Sequence, residues 1–408
     1  MLHNSGDTVV AILCSIADES WMGGANYYKN IIEALSSITQ ARIRPIVFCE
    51  NESLTRRVLA LKPAVSVAES TYFCPNLSLR IIRKVSSLLG INVDKTARFI
   101  RVRRSRKLDI DLKKHQVDIV FTLTDSEYIG SVPSIGWIPD FMHVRLASFF
   151  TAEERASRDQ QFSRLASVSK VVLLSSRVVE QDYGKMFPMA PAKTQVVHFT
   201  DLLTARNAVT TLENLKATFG ISGPYVVVCN TFWSHKNHVV VAEALNLLAE
   251  TLPNLTVMAT GSIPEPIKSS EQFRALQSIV TNERVKGRFR ILGSLPRPEQ
   301  MGLIKNAKAL INPSLSEGWN TAVEEAKNFG RPLILSDIPV HREQAPDAMF
   351  FQPQSAKDLA SKLKLLLQKE NVEASVEEIQ AGNELRRKMF IEQVYGALQT
   401  ASGEKGDL

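Results

Sequence analysis

Short apolar runs alternate with longer amphipathic stretches along the whole chain. Five runs lie in the first part, at 8–14, 44–49, 117–123, 134–139 and 170–176, and five more follow, at 224–230, 254–261, 288–293, 307–314 and 331–337. Runs of this length that are apolar throughout, rather than at every second position, are typical of parallel strands buried on both faces. The alternation therefore predicts an α/β protein whose parallel sheets carry helices on both faces.

The strand runs fall into two groups, which predict two doubly wound, Rossmann-like domains. Residues 196–224 between the groups contain fewer apolar side chains, and a chain of 408 residues is too long for one ordinary core. We place the domains at 1–200 and 201–380, followed by a helix at 381–400. Because ligands bind beyond the carboxyl ends of parallel strands, we expect the two domains to face each other across one cleft.

The composition excludes several classes of protein. Hydrophobic residues make up 44% and charged residues 22% of the chain, and no apolar run approaches the roughly 20 residues that a membrane-spanning helix needs. The first residues show no basic region followed by a cleavage site, so we expect a cytoplasmic protein. The four cysteines lack any CxxC spacing and are expected to be reduced core thiols.

The formal net charge of +7 is concentrated in one segment, 79–115, which contains twelve Lys or Arg and three Asp. In its first part the bases share a helix-length stretch with leucine, isoleucine and valine. This mixture is typical of a helix that lies on an anionic membrane surface, but a solvated basic helix packed on a domain explains it equally well. No nucleic-acid-binding signature accompanies the charge, so we expect no nucleic-acid partner.

A glutamate-rich segment, PSLSEGWNTAVEEAKNFGRP at 313–332, follows the strand run at 307–314. Thr321 and Glu324 have the spacing of a capping box, which predicts a helix over 322–329 that ends before Gly330. In that helix Glu324 points away from the apolar positions, so we expect it to be exposed and to act only as a cap.

The other two glutamates of this segment are candidates for ligand binding. Glu317 lies in the loop after the strand, beside Gly318, and Glu325 lies at the edge of the apolar stripe of the helix. The free amides of the helix N-terminus attract phosphate, and two carboxylates beside it would accept hydrogen bonds from hydroxyl groups. This arrangement fits a nucleotide-sugar site, although spacing alone fits an ordinary loop and helix as well.

Glu317 and Glu325, separated by seven residues and followed by SDIPVHRE at 336–343, closely resemble the E-x7-E signature of glycosyltransferase family 4. These are retaining enzymes of the GT-B fold. The resemblance extends from about residue 8 to residue 365 and is weakest between 50 and 115. It implies that the first domain binds the acceptor, that the second binds the nucleotide-sugar donor, and that the final helix crosses back to the first domain.

The resemblance also implies roles for individual residues. Glu317 would bind hydroxyls of the donor sugar and Glu325 those of the ribose, Lys236 would neutralise the leaving diphosphate, and His143 would face the transferred sugar. Together, His143, Lys236 and Glu317 form the implied catalytic set. The implied donor-binding set is Gly23, Gly24, Asn230, Lys236, Gly293, Ser294, Glu317, Gly318, Trp319, Asn320, Thr321 and Glu325. Gly23 and Gly24 would form a loop whose amides approach the diphosphate.

The chain departs from the family pattern at three positions. Thr231 stands where many members have an arginine, Asn320 replaces a glycine, and Ala322 replaces a proline. Without the arginine, the diphosphate would be held by Lys236, by backbone amides, and by His235 or Asn237.

These observations predict a metal-independent, retaining glycosyltransferase that moves a sugar from a nucleoside diphosphate sugar to an acceptor hydroxyl in polysaccharide, lipopolysaccharide or glycolipid synthesis. We expect no cofactor and no bound metal, because cationic side chains and helix N-termini can hold a diphosphate in place of a divalent ion. The acceptor would be a glycan, a glycolipid or a small molecule, and the segment at 79–115 would allow contact with the inner face of the membrane. Two alternatives remain: a nucleotide-sugar epimerase or phosphorylase of the same fold, and a catalytically silent protein that binds sugar nucleotides.

Overall fold

The computed structural model describes residues 7–14, 22–49, 65–70, 72, 93–202, 209–368 and 375–403. The first part of the basic segment, at 79–92, lies outside the described residues. In the described residues the strands form two sheets, and all neighbouring strands within each sheet are parallel. The predicted α/β architecture with two parallel sheets is therefore confirmed.

The first sheet contains seven strands in the order β3-β2-β1-β4-β5-β6-β7. Its strands are β1 Asp7–Cys14, β2 Arg42–Cys49, β3 Ser66–Glu69, β4 Ile119–Leu123, β5 Ser134–Ile138, β6 Val171–Leu174 and β7 Lys193–Val196. The helices that connect them are α1 Met22–Ser37, α2 Val93–Lys114, α3 Met142–Arg145, α4 Ala152–Val168 and α5 Arg177–Met186, with a 3-10 turn at Ala147–Phe149. All residues of β4, β5 and β6 are buried because helices cover both faces of the sheet.

The second sheet contains six strands in the order β10-β9-β8-β11-β12-β13. Its strands are β8 Tyr225–Cys229, β9 Thr256–Thr260, β10 Phe289–Gly293, β11 Leu310–Asn312, β12 Leu333–Ser336 and β13 Met349–Phe351. Its helices are α6 Leu212–Phe219, α7 His238–Leu247, α8 Glu265–Lys268, α9 Glu271–Thr281, α10 Arg297–Asn306, α11 Thr321–Asn328, α12 Pro339–Gln344 and α13 Ala356–Gln368, with a 3-10 turn at Ser234–Lys236. The strand order reverses between β8 and β11, and a crevice forms at such a point in doubly wound sheets.

The last helix, α14 Val376–Ser402, follows the second sheet in sequence but packs against the first. Its Phe390, Val394 and Ala397 are fully buried in one apolar cluster with Ile31 and Leu35 of α1. The first sheet with its helices and α14 is called the first half below, and the second sheet with its helices the second half. The chain thus passes between the two halves twice. Within the described part of the chain, no helix combines the length and the apolar character that crossing a membrane requires.

Replacing Phe390 with alanine should destabilise the protein, because it leaves a cavity in the core of the first half between α14 and Phe199. The ring centroids of Phe390 and Phe199 are 6.0 Å apart. We expect a loss of about 3–5 kcal/mol in the free energy of unfolding, measured in urea. Met389→Ala is the matched control, since this neighbouring side chain is 42% exposed and should change stability by less than about 0.5 kcal/mol. Equal effects of the two substitutions would contradict the burial of this face of α14.

Candidate functional site

A buried ion pair lies where the strand order of the second sheet reverses. Lys236 is in the 3-10 turn after β8, and Glu317 is in the loop after β11. Because β8 and β11 are neighbours and parallel, their carboxyl ends place these side chains together. Lys236 Nζ lies 2.6 Å from Glu317 Oε1, which also accepts a hydrogen bond of 2.9 Å from Asn320 Nδ2. The crevice therefore contains the ammonium group of Lys236 next to the loop that carries the Glu317 carboxylate.

The charge of Glu317 is stabilised by its neighbours. Burial raises the pKa of this carboxyl, but the ammonium of Lys236 and the hydrogen bonds from Lys236 and Ser314 outweigh that effect and bring the pKa to about 2. Glu317 is thus a carboxylate throughout the physiological pH range. It can accept hydrogen bonds from ligand hydroxyls, but it is not available as a proton donor.

The histidines near the ion pair are neutral. Burial and the charge of Lys236 lower the pKa of His235 to about 4 and that of His238 to about 3. Burial also lowers the pKa of His341, whose Nδ1 lies 2.9 Å from the carbonyl oxygen of Ser336. Asn237 has φ +54° and donates a hydrogen bond of 2.7 Å to the carbonyl oxygen of Pro353. These groups provide no positive charge at neutral pH.

Two expectations for the helix after Glu317 were wrong. The N-cap of α11 is Asn320, whose Oδ1 accepts from Val323 N at 3.1 Å, so Thr321 is the first helical residue. Glu324 is only 1% exposed, and it bonds to Lys327 Nζ and to Gln344 Nε2, each at 2.9 Å.

The physical reason is that a second layer of structure covers the side of α11 on which Glu324 lies. Gln344 belongs to α12, and Arg386 of α14 approaches Glu324 to 3.6 Å. Periodicity within one helix cannot reveal elements that arrive from elsewhere in the chain. The helix does end as expected, with Gly330 in the left-handed region at φ +60°.

Glu325 lies on α11 and is 2% exposed. Its Oε1 accepts a hydrogen bond of 2.6 Å from Arg297 Nη1, while Oε2 is buried without a hydrogen-bond partner among the described residues. Burial raises the pKa of Glu325 to about 7, although the charge of Arg297 lowers it. One oxygen of this carboxylate is therefore still available to a donor group of a ligand.

The loop between Glu317 and α11 contacts the first half of the protein. A Cβ atom on Gly318 would lie 1.8 Å from the carbonyl oxygen of Pro139, so only glycine allows this approach. Trp319 Nε1 donates to the carbonyl oxygen of Phe199 at 2.8 Å, and the indole stacks on His198 with 4.6 Å between ring centroids. The resemblance implies that Gly318 and Trp319 contact the donor, which stays a prediction; in the structure both residues also join the two halves.

Other residues predicted for the site lie near the carboxyl ends of strands of the second sheet. Asn230 follows β8, donates to Asn312 Oδ1 at 3.3 Å, and accepts from Asn320 Nδ2 at 3.5 Å. Gly293 ends β10 with φ +70°, and Ser294 after it is exposed. Thr321 is half-buried at the start of α11. These residues belong to the second half and lie at the ends of its strands or beside them.

Two predicted features lie in the first half. Gly23 and Gly24 were expected in a loop but fall in the first turn of α1; residues 15–21, which lead into that helix, are outside the described residues. His143 is 1% exposed in α3, and its Nε2 lies 3.0 Å from Asp159 Oδ1. The ring is surrounded by Phe141, Phe150 and Phe162. Its Nδ1 has no hydrogen-bond partner among the described residues.

Residues that the sequence did not single out connect the halves near the site. Glu343 of α12 accepts hydrogen bonds from the backbone of Arg177 at 2.8 Å and Val178 at 3.3 Å, and it lies 2.8 Å from His198 Nε2. It thereby caps α5 of the first half. Burial raises the pKa of Glu343, but the hydrogen bonds from His198 and the α5 backbone outweigh it and lower the pKa.

Arg297 is the second residue that the sequence did not single out. It begins α10, and its guanidinium bonds to Glu325 and to Asp201. A cation at a helix N-terminus is unfavourable because it opposes the helix dipole. An arginine at this position of the sequence could therefore have indicated that it binds carboxylates elsewhere in the fold.

The two parallel-sheet domains, with the carboxyl-end loop of one packed on the corresponding end of the other, have the GT-B fold. The crystal structure of Anabaena Alr3699/HepE in complex with UDP and glucose resembles this protein with a TM-score of 0.66 and 14% sequence identity, covering 96% of this chain and 100% of that one. The same Anabaena protein has also been crystallised in complex with UDP-glucose.

Sequence comparison matches residues 215–383 to the family "Glycosyl transferases group 1". "Glycosyltransferase 1 domain-containing protein 1" of Xenopus tropicalis is 27% identical over 143 residues, which are 34% of this chain and 39% of that protein. "O-antigen chain mannosyltransferase RfbU" of Salmonella typhimurium is 26% identical over 141 residues, 34% of this chain and 37% of that protein. The matched stretches thus span less than 40% of either relative.

Replacing Lys236 with methionine should leave Glu317 buried without its cation. We expect a loss on the order of 3–5 kcal/mol in the free energy of unfolding near pH 7. Because Lys236 contributes most to lowering the pKa of Glu317 to about 2 and burial raises this pKa once the cation is removed, the loss should shrink as the pH falls from 7 towards 2. Urea unfolding at several pH values measures this.

The control for this experiment is Lys308→Met, which removes an exposed lysine just before β11. Adding Glu317→Gln to the Lys236 variant should restore part of the lost stability, since no buried charge then remains unpaired. Native stability of Lys236→Met near pH 7 would show that the ion pair is not buried as described.

Proposed function

We propose that this protein is a retaining glycosyltransferase that moves a sugar from a nucleoside diphosphate sugar to an acceptor hydroxyl. The observation that carries the proposal is the placement of Lys236 and Glu317, 2.6 Å apart, at the strand-order reversal of a GT-B domain, with Glu325 on the adjoining helix. The match of residues 215–383 to glycosyl transferases group 1 supports it. We place the reaction in polysaccharide, lipopolysaccharide or glycolipid synthesis.

Lys236 is the group that stabilises the leaving diphosphate in this proposal. When the bond between the anomeric carbon and the phosphate oxygen breaks, its electron pair leaves with the diphosphate, and negative charge develops there. The oxygen of the acceptor hydroxyl forms the new bond to the anomeric carbon, and its proton passes to an oxygen of the leaving diphosphate. An ammonium fixed by Glu317 in a buried crevice stabilises this charge with little reorganisation. His235, neutral and next to Lys236, adds a hydrogen-bond donor, and Thr231 adds a hydroxyl. This combination replaces both a metal ion and the missing arginine.

The two glutamates bind hydroxyl groups of the donor. Glu317 remains ionised at every physiological pH and accepts hydrogen bonds from the transferred sugar, which suits a binding role rather than that of a proton donor. Glu325 offers its buried Oε2 to the ribose hydroxyls. His143 reaches the sugar from the first half through Nδ1, with its ring held by Asp159. Since Alr3699/HepE binds UDP and UDP-glucose, a uridine nucleotide is the first donor to test.

Donor binding can be tested with a thermal-shift screen against nucleoside diphosphate sugars, because a ligand that binds the folded state raises the melting temperature. We expect at least one of them to do so. Glu325→Ala should then weaken its affinity about tenfold or more, since a buried hydrogen bond to a charged group is lost. Glu283→Ala, which removes an exposed glutamate of the same half, should leave the affinity unchanged. Full donor affinity in Glu325→Ala would contradict the role of Glu325.

Product analysis separates this function from its alternatives. A transferase consumes donor only slowly without an acceptor, an epimerase converts the donor sugar without one, and a phosphorylase requires free phosphate. A protein that binds donor but never hydrolyses or transfers it would be catalytically silent.

We further propose that α2 brings the protein to an anionic membrane surface, where a lipid-linked acceptor would be presented. Its Leu108 and Leu112 are buried in the first half. The opposite side exposes Arg103, Arg106, Lys107, Lys113 and Lys114, together with Ile110, which is 67% exposed. These positions recur every three or four residues, so they form one cationic face around an apolar side chain.

Sedimentation with lipid vesicles tests this surface. We expect the protein to bind vesicles that contain phosphatidylglycerol and not vesicles of phosphatidylcholine alone, with binding that weakens as salt increases. Arg106→Glu combined with Lys107→Glu and Lys113→Glu should abolish binding. The control is Lys305→Glu with Lys308→Glu in the second half. Binding by the α2 variant equal to that of the native chain would contradict the proposal.

A further inference from the structure

We propose that Arg297 is a positioning residue, which holds the Glu325 carboxylate in its ligand-binding orientation and ties that orientation to Asp201 at the end of the first half. This inference rests on the proposed function in one respect, since Glu325 is taken to bind the donor. Neither the sequence motifs nor the match to the family assigns a role to Arg297.

The geometry of the guanidinium group supports this assignment. Arg297 Nη1 lies 2.6 Å from Glu325 Oε1, and Nη2 lies 2.7 Å from Asp201 Oδ2. The planar guanidinium therefore bridges two carboxylates through different nitrogens and fixes the distance and angle between them. Within the described ranges only Oε1 of Glu325 is engaged, so the carboxylate is oriented while its buried Oε2 has no hydrogen-bond partner there.

Both halves of the protein contribute to this cluster. Arg297 begins α10 and Glu325 lies on α11, both in the second half. Asp201 is the first residue after the predicted domain boundary, but it lies between Phe199 and Leu202, whose side chains are buried in the core of the first half. The ammonium of Lys29 on α1 is close enough to interact with Arg297 and Asp201. Among the described residues, two cations thus face two carboxylates across the boundary between the halves. A ligand that binds Glu325 would therefore contact a carboxylate that Arg297 links to Asp201 in the first half.

The charges around Glu325 determine whether it remains a hydrogen-bond acceptor. Burial and the charge of Asp201 raise the pKa of Glu325, Arg297 lowers it, and the net result is a pKa of about 7. Among the described residues, Lys29 also faces the cluster with its charge, and the neighbouring Cys229 thiol stays neutral because burial raises its pKa. Loss of Arg297 would therefore raise the pKa of Glu325 and leave the carboxyl protonated at neutral pH, whereas loss of the charge on Asp201 would lower that pKa.

These opposite signs give a test with three variants of the full-length chain: Arg297→Met, Arg297→Lys and Asp201→Asn. The affinity for UDP is measured by calorimetry between pH 6 and pH 9. In the native chain we expect affinity to increase as the pH rises through about 7. Arg297→Met should weaken binding about tenfold near pH 7 and move the increase to higher pH. Arg297→Lys should restore part of the affinity, and Asp201→Asn should move the increase to lower pH.

A purely structural role would give a different pattern. If Arg297→Met lowers the melting temperature but binds UDP with native affinity and a native pH profile, the inference is overturned. It is also overturned if Arg297→Lys, which keeps the charge and should fold, binds no better than Arg297→Met, or if Asp201→Asn moves the profile in the same direction as Arg297→Met.

Titration of the Glu325 carboxyl carbon by nuclear magnetic resonance, with Glu325→Gln for assignment, distinguishes failure of the inference from failure of the proposed function. A higher pKa of Glu325 in Arg297→Met than in the native chain would support the positioning role of Arg297. If the native chain then bound no nucleotide, only the proposed donor-binding function would be contradicted. An unchanged pKa would overturn the inference.

Discussion

The ion pair between Lys236 and Glu317 is the interaction on which the rest of the site depends. Removing both charges from water is costly, and the cost is offset only because the two groups lie 2.6 Å apart and Glu317 has further hydrogen-bond donors. The pair fixes the loop after β11, and that loop begins α11 through the cap made by Asn320. Glu325, one helical turn further on, is positioned by the same arrangement.

The loop that carries this pair also joins the two halves of the protein. Gly318 packs on the backbone of Pro139, and Trp319 packs on His198. A movement of one half against the other must therefore displace the loop that carries Glu317. Glu343 of the second half bonds to Arg177 and His198 of the first, and Arg297 bonds to Glu325 and Asp201 beside the same loop. The relative position of the two halves is thus coupled to the position of Glu317 and Glu325.

Most of the fold could be predicted from apolar runs, because strands buried on both faces carry mostly apolar side chains. The three strands that the pattern missed, β3, β7 and β13, lie at sheet edges and are three or four residues long. β3 and β7 also contain polar residues, and the apolar run of β13 is only three residues long. Local rules failed for Glu324, because α12 and α14 cover it from distant parts of the chain. Arg297 was missed for the same reason, since both of its carboxylate partners are remote in sequence.

In the proposed function, Lys236 and Glu317 mark a site for a diphosphate. Calorimetric titration of the native chain and of Lys236→Met with UDP and with uridine monophosphate tests this role most directly. We expect the native chain to bind UDP more tightly than the monophosphate, and Lys236→Met to lose most of this difference because one ammonium faces the second phosphate. Equal affinity of the native chain for both nucleotides, or an unchanged preference in Lys236→Met, would contradict it.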